Sequence, residues 1–304
     1  MQKEYLGKIK ESNGWFWDDI EKKYYLIISD DMDSLLTALL ILTYRPNWEI
    51  GGFIDYREGF YIKKGMEGKL NKDNIICVDM SVCEEGIKCI SNHVTMRHKD
   101  DTINSQDINL SNMDGISPFN YFYKYNLNSF ILTYSLLGLK PSSERASALM
   151  LMLDSAYQPY FANKAYQDYY TQKRYLCDVL DLEEVWEVQK KIDKFNFSLG
   201  KCNLGLNSKI YACNEGIKTV KPVFLEEVCE ILEIDYKPEK LEGFFYLIKL
   251  VTSITRHINF NAIDKNDIIG MAVTRRDTQK TCWVEGGIGS CIFPKGNYKT
   301  GEAC

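Results

Sequence analysis

No two cysteines in this chain stand in C-x-x-C spacing, although there are ten of them. Cys77, Cys83 and Cys89 follow one another at intervals of six and the others are scattered, so the common zinc signatures are excluded. Basic surplus is also missing. Lys and Arg number 37 against 42 Asp and Glu, for a net charge of −5, and such a balance offers no broad basic surface to long nucleic acid. A small phosphorylated ligand, or a short single strand in a local cleft, remains compatible with it. Long hydrophobic runs are absent too. The longest apolar stretches, such as Leu35–Leu42, are too short to span a bilayer. Residues 1–14 are polar and charged, with no apolar core of a secretory signal. The expectation is a cytoplasmic protein with reduced, mostly buried thiols. Neither repeats nor low-complexity segments occur.

What is present is a globular composition, 45% hydrophobic and 26% charged over 304 residues, enough for one large domain or two ordinary ones. The 39 aromatic residues, 20 Tyr, 14 Phe and 5 Trp, belong first to core and interface and only secondarily to base stacking. Tyr24–Ser29 is a short apolar run that stops at acidic residues and passes into an apolar stretch, Ser34–Thr43. Strand, acidic turn and buried helix open a parallel α/β unit. Ile50–Asp55 and Asn74–Asp79 read as further strands, and His93–Arg97 as a fourth. Helical spacing covers Tyr125–Leu139, and Pro141 with Ser142 and Ser143 opens a helix through Ala146–Leu153. Leu180–Phe195 reads as a charged amphipathic helix, Phe244–His257 as another helix, and Ile268–Phe293 as strands around Gly286 and Gly287. The fold expected is α/β, a mostly parallel sheet flanked by helices, with a smaller C-terminal α+β domain. The boundary is expected near 185–200.

Chemistry concentrates at the ends of these elements. Asp30-Asp31-Met32-Asp33 follows the first strand, Asp79 ends the third, and Asp154 ends an apolar helix. Open parallel sheets bind ligands at the C-terminal ends of their strands, and hard divalent cations require several converging carboxylate oxygens. The D-x-D pair Asp31 and Asp33 sets two carboxylates on one tight turn. Each has a plainer reading. Asp30 or Asp31 serves as a helix N-cap, Asp79 begins a turn, and His98 is a solvated side chain beside Lys99 and Asp100. Asp154 fits a plain structural role poorly, because an anion at a helix C-terminus opposes the dipole. His93 and His257 have no assigned chemistry, and the lysines at 63, 64, 69 and 72 with Arg57 read as a solvated loop.

IISDDMDSLLTALL resembles the first motif of the DHH-family phosphoesterases and family II pyrophosphatases, H-x-N-P-D-x-D-[SA] before a helix. IICVDMS is similar to the second motif, VTMRHKDD occupies the place of the DHH triplet, and ALMLMLDSAYQPYF looks like the fourth. The ordered set covers about residues 24–160. Two positions depart from the pattern. Ile27 stands where the first-motif histidine belongs, and His98 is flanked by Arg97 and Lys99 rather than by the rest of the triplet.

The resemblance implies a phosphoesterase domain over 1–190 and a C-terminal substrate-binding or interaction domain over 191–304. It implies Mn2+ or Mg2+ held by Asp31, Asp33, Asp79, His98 and Asp154, with Asp33, His98 and Arg97 in catalysis. Val273–Arg276 and Gly286–Gly289 are loosely similar to the family's substrate-holding segment, which points to Arg275, Arg276, Gly286 and Gly287. The reaction implied is hydrolysis of a phosphodiester in a small nucleotide or short oligonucleotide. A single-strand nuclease is a further reading. The rival is an inactive descendant that binds a nucleotide or a protein partner, a second copy included.

Overall fold

The computed structural model describes residues 1–18, 21–163, 167–257, 264–275, 278–285 and 287–288. Its centre is a seven-stranded sheet. The strands are β1 (Tyr25–Ser29), β2 (Glu49–Asp55), β3 (Gly59–Lys63), β4 (Ile75–Val78), β5 (Lys88–Ile90), β6 (Asp107–Ile108) and, from far along the chain, β9 (Phe245–Leu250). Their spatial order is β6-β5-β4-β1-β2-β3-β9. The run from β6 to β2 is parallel, while β3 and β9 add antiparallel at one edge. The α/β class expected from the sequence is what the chain adopts.

Every residue of β1 is buried, as a central strand covered on both faces requires. Its side chains alternate between two cores. Leu26 and Ile28 join the larger one with Leu35, Leu36 and Leu39 of helix α1 (Met32–Tyr44). Tyr25 and Ile27 join the other with Ile54, Phe60, Ile269 and Cys282. Helix α1 lies beside α2 (Ser129–Leu136), and α3 (Glu144–Met152) packs on α4 (Glu183–Lys191) and α5 (Lys194–Asn203). Beyond them come the β7–β8 hairpin (Ile210–Cys213 with Gly216–Thr219) and a three-stranded antiparallel sheet. The latter orders β10 (Thr252–His257), β12 (Thr278–Trp283) and β11 (Ile268–Arg275). Residues from both sides of position 190 therefore share the second core and the main sheet. Among the described residues no helix is long and apolar enough to cross a membrane.

Four expectations about elements change. The strand expected over 93–97 is irregular, and β5 takes the parallel position beside β4 instead. The helix expected over 244–257 is two strands, because FYLIKL pairs with β3 and TSITRH pairs with β12. Its β-branched residues suit a pleated surface, and pairing overrides an ambiguous period. The helix expected over 125–139 is confined to Ser129–Leu136, since Asn128 takes the N-cap and accepts from the Ile131 N–H at 2.8 Å. The helix expected over 180–195 is two, split where Asp193 caps α5.

Candidate functional site

Strand order reverses at β1. The chain passes from β1 to β2 on one side and later returns to place β4 on the other. A cleft opens beyond the strand ends at such a switch point. Ser34, in the first turn of α1, ties the two ends together: its Oγ accepts from the Ser29 N–H at 2.9 Å and donates to the Val78 carbonyl at 2.8 Å. Asp31 caps the same helix, accepting from the Ser34 N–H at 3.1 Å. The capping role read from the sequence is thus real, and it leaves one Asp31 oxygen outside that bond.

Asp33 is buried and meets the N-terminus of α2. Its Oδ2 accepts from the Ser129 N–H at 2.8 Å and its Oδ1 from the Phe130 N–H at 3.0 Å. The Ser129 hydroxyl donates to Asp79 Oδ1 at 2.6 Å. One serine therefore carries carboxylates from the ends of two different strands. Asp154 arrives from a third element. Asn128 donates to the Met150 and Leu153 carbonyls at 2.8 and 3.0 Å, which fixes the end of α3 where Asp154 projects. Asp79, Asp154 and Ser155 hold φ of 54°, 46° and 58°, a left-handed backbone that side chains tolerate at a cost of about 1 kcal/mol or more. Two of the three are candidate site carboxylates, and the surrounding hydrogen bonds hold them there.

Burial is the first cause of raised proton affinity at Asp33, Asp79 and Asp154, and neighbouring carboxylates add to it. Asp33 feels Asp31 and Asp154; Asp79 feels Asp33, Asp31 and Asp154. Asp154 is pushed up to about 6 although it keeps solvent exposure, because it opens into a cleft while protein crowds it from the other sides. Asp31, Asp33, Asp79 and Asp154 thus share one electrostatic field.

His98 and Arg97 lie elsewhere. His98 is exposed on a turn and appears in none of these interactions. Arg97 is mostly buried and engages Asp101, through its backbone N–H at 2.9 Å and its Nε at 3.2 Å. Asp101 is bridged in turn by Lys265 at 2.9 Å. The histidine at the cluster is His93, which feels both Asp31 and Lys124 and is pushed down to about 4, chiefly by burial. The sequence placed it at the start of an expected strand, with no motif and no assigned chemistry. Its segment, irregular rather than extended, turns it into the cleft.

That cleft, of about 640 Å³, is lined by Asn92, His93, Lys124, Asp154 and Ser155 among others. Asn92 donates to the Leu127 carbonyl at 3.1 Å, and its Oδ1, like that of Asn126, has no partner among the described residues. Three lysines surround the carboxylates, none singled out by motif. Lys209 lies 3.1 Å from Asp30 and 3.7 Å from Asp31. Its backbone is fastened there by a bridge to Asp31 and by the Ile210 N–H on the Asp30 carbonyl at 3.1 Å. Lys201 and Lys124 lie on the Asp154 side. Tyr56, at the end of β2, also feels Asp79, Asp31 and Asp30. The signal that could have found the lysines is the unbalanced charge itself, since four clustered aspartates require cations.

Of the C-terminal candidates, Arg275 ends β11, while Arg276 and Gly286 lie outside the described residues. Gly287 has φ 63°, and a Cβ there would meet the Asn266 carbonyl oxygen at 2.3 Å and Glu84 Oε2 at 2.6 Å. Close packing is its observed role. Among the described residues no three His, Cys, Asp or Glu side chains converge as a ready-made metal-ligand set. The carboxylate chemistry nevertheless suits a hard cation, because buried and mutually repelling carboxylates retain charge only beside positive charge. Asp31, with its side chain about one-third exposed, has room to turn. No protein-family model, curated protein or solved structure matches the chain.

Proposed function

We propose that the aspartate pocket takes a divalent cation, Mn2+ or Mg2+, together with the phosphate of a small nucleotide or short oligonucleotide, and that the chain is a divergent DHH-like phosphodiesterase. The observation carrying this reading is the joining of Asp33 and Asp79 on Ser129, with Asp31 and Asp154 in the same field. Asp31, Asp79 and Asp154 would hold the cation. Asp33, with both oxygens committed to α2, would fix the geometry of the others. When bound, a divalent cation supplies Lewis acidity at the phosphoryl group. The lysines neutralise the phosphate oxygens, and the unpartnered Asn92 and Asn126 oxygens stand beside the cleft as acceptors for ligand N–H or O–H groups.

Calorimetric titration of the purified chain with manganese tests the first step. The expected result is binding that is lost in Asp154→Asn and Asp33→Asn, with both variants folded by circular dichroism. Hydrolysis of a dinucleotide or cyclic dinucleotide under manganese tests the second. Absence of turnover across a broad phosphodiester panel, with metal bound, removes the catalytic claim.

The Lys209 contacts favour a second reading, since an ammonium already sits against Asp30 and Asp31 and His98 is remote. A non-catalytic descendant would bind its nucleotide or protein partner indifferently to metal and to Asp33→Asn.

A further inference from the structure

Lys201 is only 9% exposed. Its ammonium carries three donors, and one of them is spent, on Ser155 Oγ at 2.8 Å. Among the described residues no carboxylate forms an ion pair with it, although Asp154, Asp31 and Asp33 all act on it. A buried lysine ordinarily has a partner, because an uncompensated charge away from water is costly. Ser155, its one hydrogen-bond acceptor among the described residues, lines the 640 Å³ cleft. Lys124 lines the same cleft and donates to the Tyr121 hydroxyl at 2.9 Å. It too has no ion pair among the described residues, while acting at longer range on Asp154, Asp168 and His93. Two lysines from distant parts of the chain thus approach one strained segment, Asp154–Ser155, with donors unspent.

We propose that Lys201, Ser155 and Lys124 form an anion subsite that receives a phosphate group of the ligand. Phosphate suits it better than a carboxylate, because its oxygens spread in three directions and can accept from both ammonium groups and from the Ser155 hydroxyl together. The acidic groups facing the subsite are Asp154 and Asp168, with Asp31 and Asp33 behind. They disfavour an anion, and the two lysines together with Lys209 offset them. The subsite rests on reading the cleft as a phosphoester site, but it does not depend on metal, so the two can fail separately.

The probe is inorganic phosphate, titrated by calorimetry into the full chain with EDTA present. Binding is expected, weakening at least about tenfold in both Lys201→Met and Lys124→Met and easing as salt is added. Lys201→Arg should retain most of the affinity. Phosphate should also raise the melting temperature of the wild type and leave that of Lys201→Met unmoved. If Lys201 merely supports the Asp154–Ser155 turn, Lys201→Met lowers stability while Lys124→Met binds phosphate as the wild type does; that result overturns the subsite. Absence of phosphate binding up to about 10 mM, weaker than any useful affinity, overturns it as well. Phosphate binding by a wild type that takes up no manganese locates the failure in the metal reading alone.

Discussion

Asp107 illustrates what burial does to one carboxyl group away from the cleft. It accepts from Ser91 Oγ at 2.9 Å and from the Asn109 and Asn112 side chains at 3.3 and 3.2 Å. Desolvation nevertheless outweighs these donors and pushes it up to about 7 from an ordinary 3.8. Between those two values the folded chain holds a proton that the unfolded chain has released. Stability from this group is therefore full below about 3.8, falls as pH rises toward 7, and is level above that. Urea denaturation across this range should show the decline, and Asp107→Asn should flatten it. An unchanged slope in the variant would assign the effect to other groups. In the aspartate cluster, Asp33, Asp79 and Asp154 shift the same way for the same first reason. What distinguishes them is company: Asp107 has neutral amides around it, while Asp33 and Asp79 have each other. The sequence revealed the acids by their position at strand ends. It could not reveal that His93 rather than His98 reaches them, because that depends on an irregular segment with no periodic signal.

At the scale of elements, short polar side chains do the positioning. Ser34 joins β1 to β4, so Ser34→Ala leaves the buried Ser29 N–H unpaired. The expected loss is about 1–3 kcal/mol in chemical denaturation, accompanied by weaker manganese binding as the strand ends that carry Asp31 and Asp79 lose their tie through Ser29 and Val78. Asn128 caps α2 and holds two carbonyls at the end of α3. Asn128→Ala should cost about 2 kcal/mol or more, beyond an ordinary cap; a loss of a few tenths would show that the backbone holds Asp154 by itself. The apolar run of β1 and the capped start of α1 were legible because propensity, burial and turn chemistry agree there. Residues 244–257 were misleading: their composition permits helix or strand, and only pairing with β3, far back along the chain, and with β12 decides. Lys201, Lys124 and Lys209 carry no motif at all. Their meaning comes from the charge they face.

At the scale of the whole molecule, β9 brings the later half of the chain onto the earlier half. Gly59 of β3 makes that approach feasible, since a Cβ there would meet the Lys249 carbonyl oxygen at 2.2 Å. Gly59→Ala should loosen β9 and destabilise the fold by about 1–3 kcal/mol, with faster proteolysis around residue 250 as the readout. Wild-type resistance in that variant would mean that the strands tolerate a shift. A second tie is the buried Arg97–Asp101–Lys265 group, which fastens the loop after β5 to the segment before β11. Both ties connect residues on either side of the boundary expected near 190.

Order of synthesis makes the late strand matter in another way. A ribosome releases β3 long before it has made β9, and until then a strand edge with free amides and carbonyls faces solvent or any neighbouring nascent chain. The opposite edge is guarded by brevity, since β6 has only two residues. Truncations ending before residue 245 should therefore aggregate through the β3 side, and chaperone demand during expression should end only when the final third of the polypeptide has emerged.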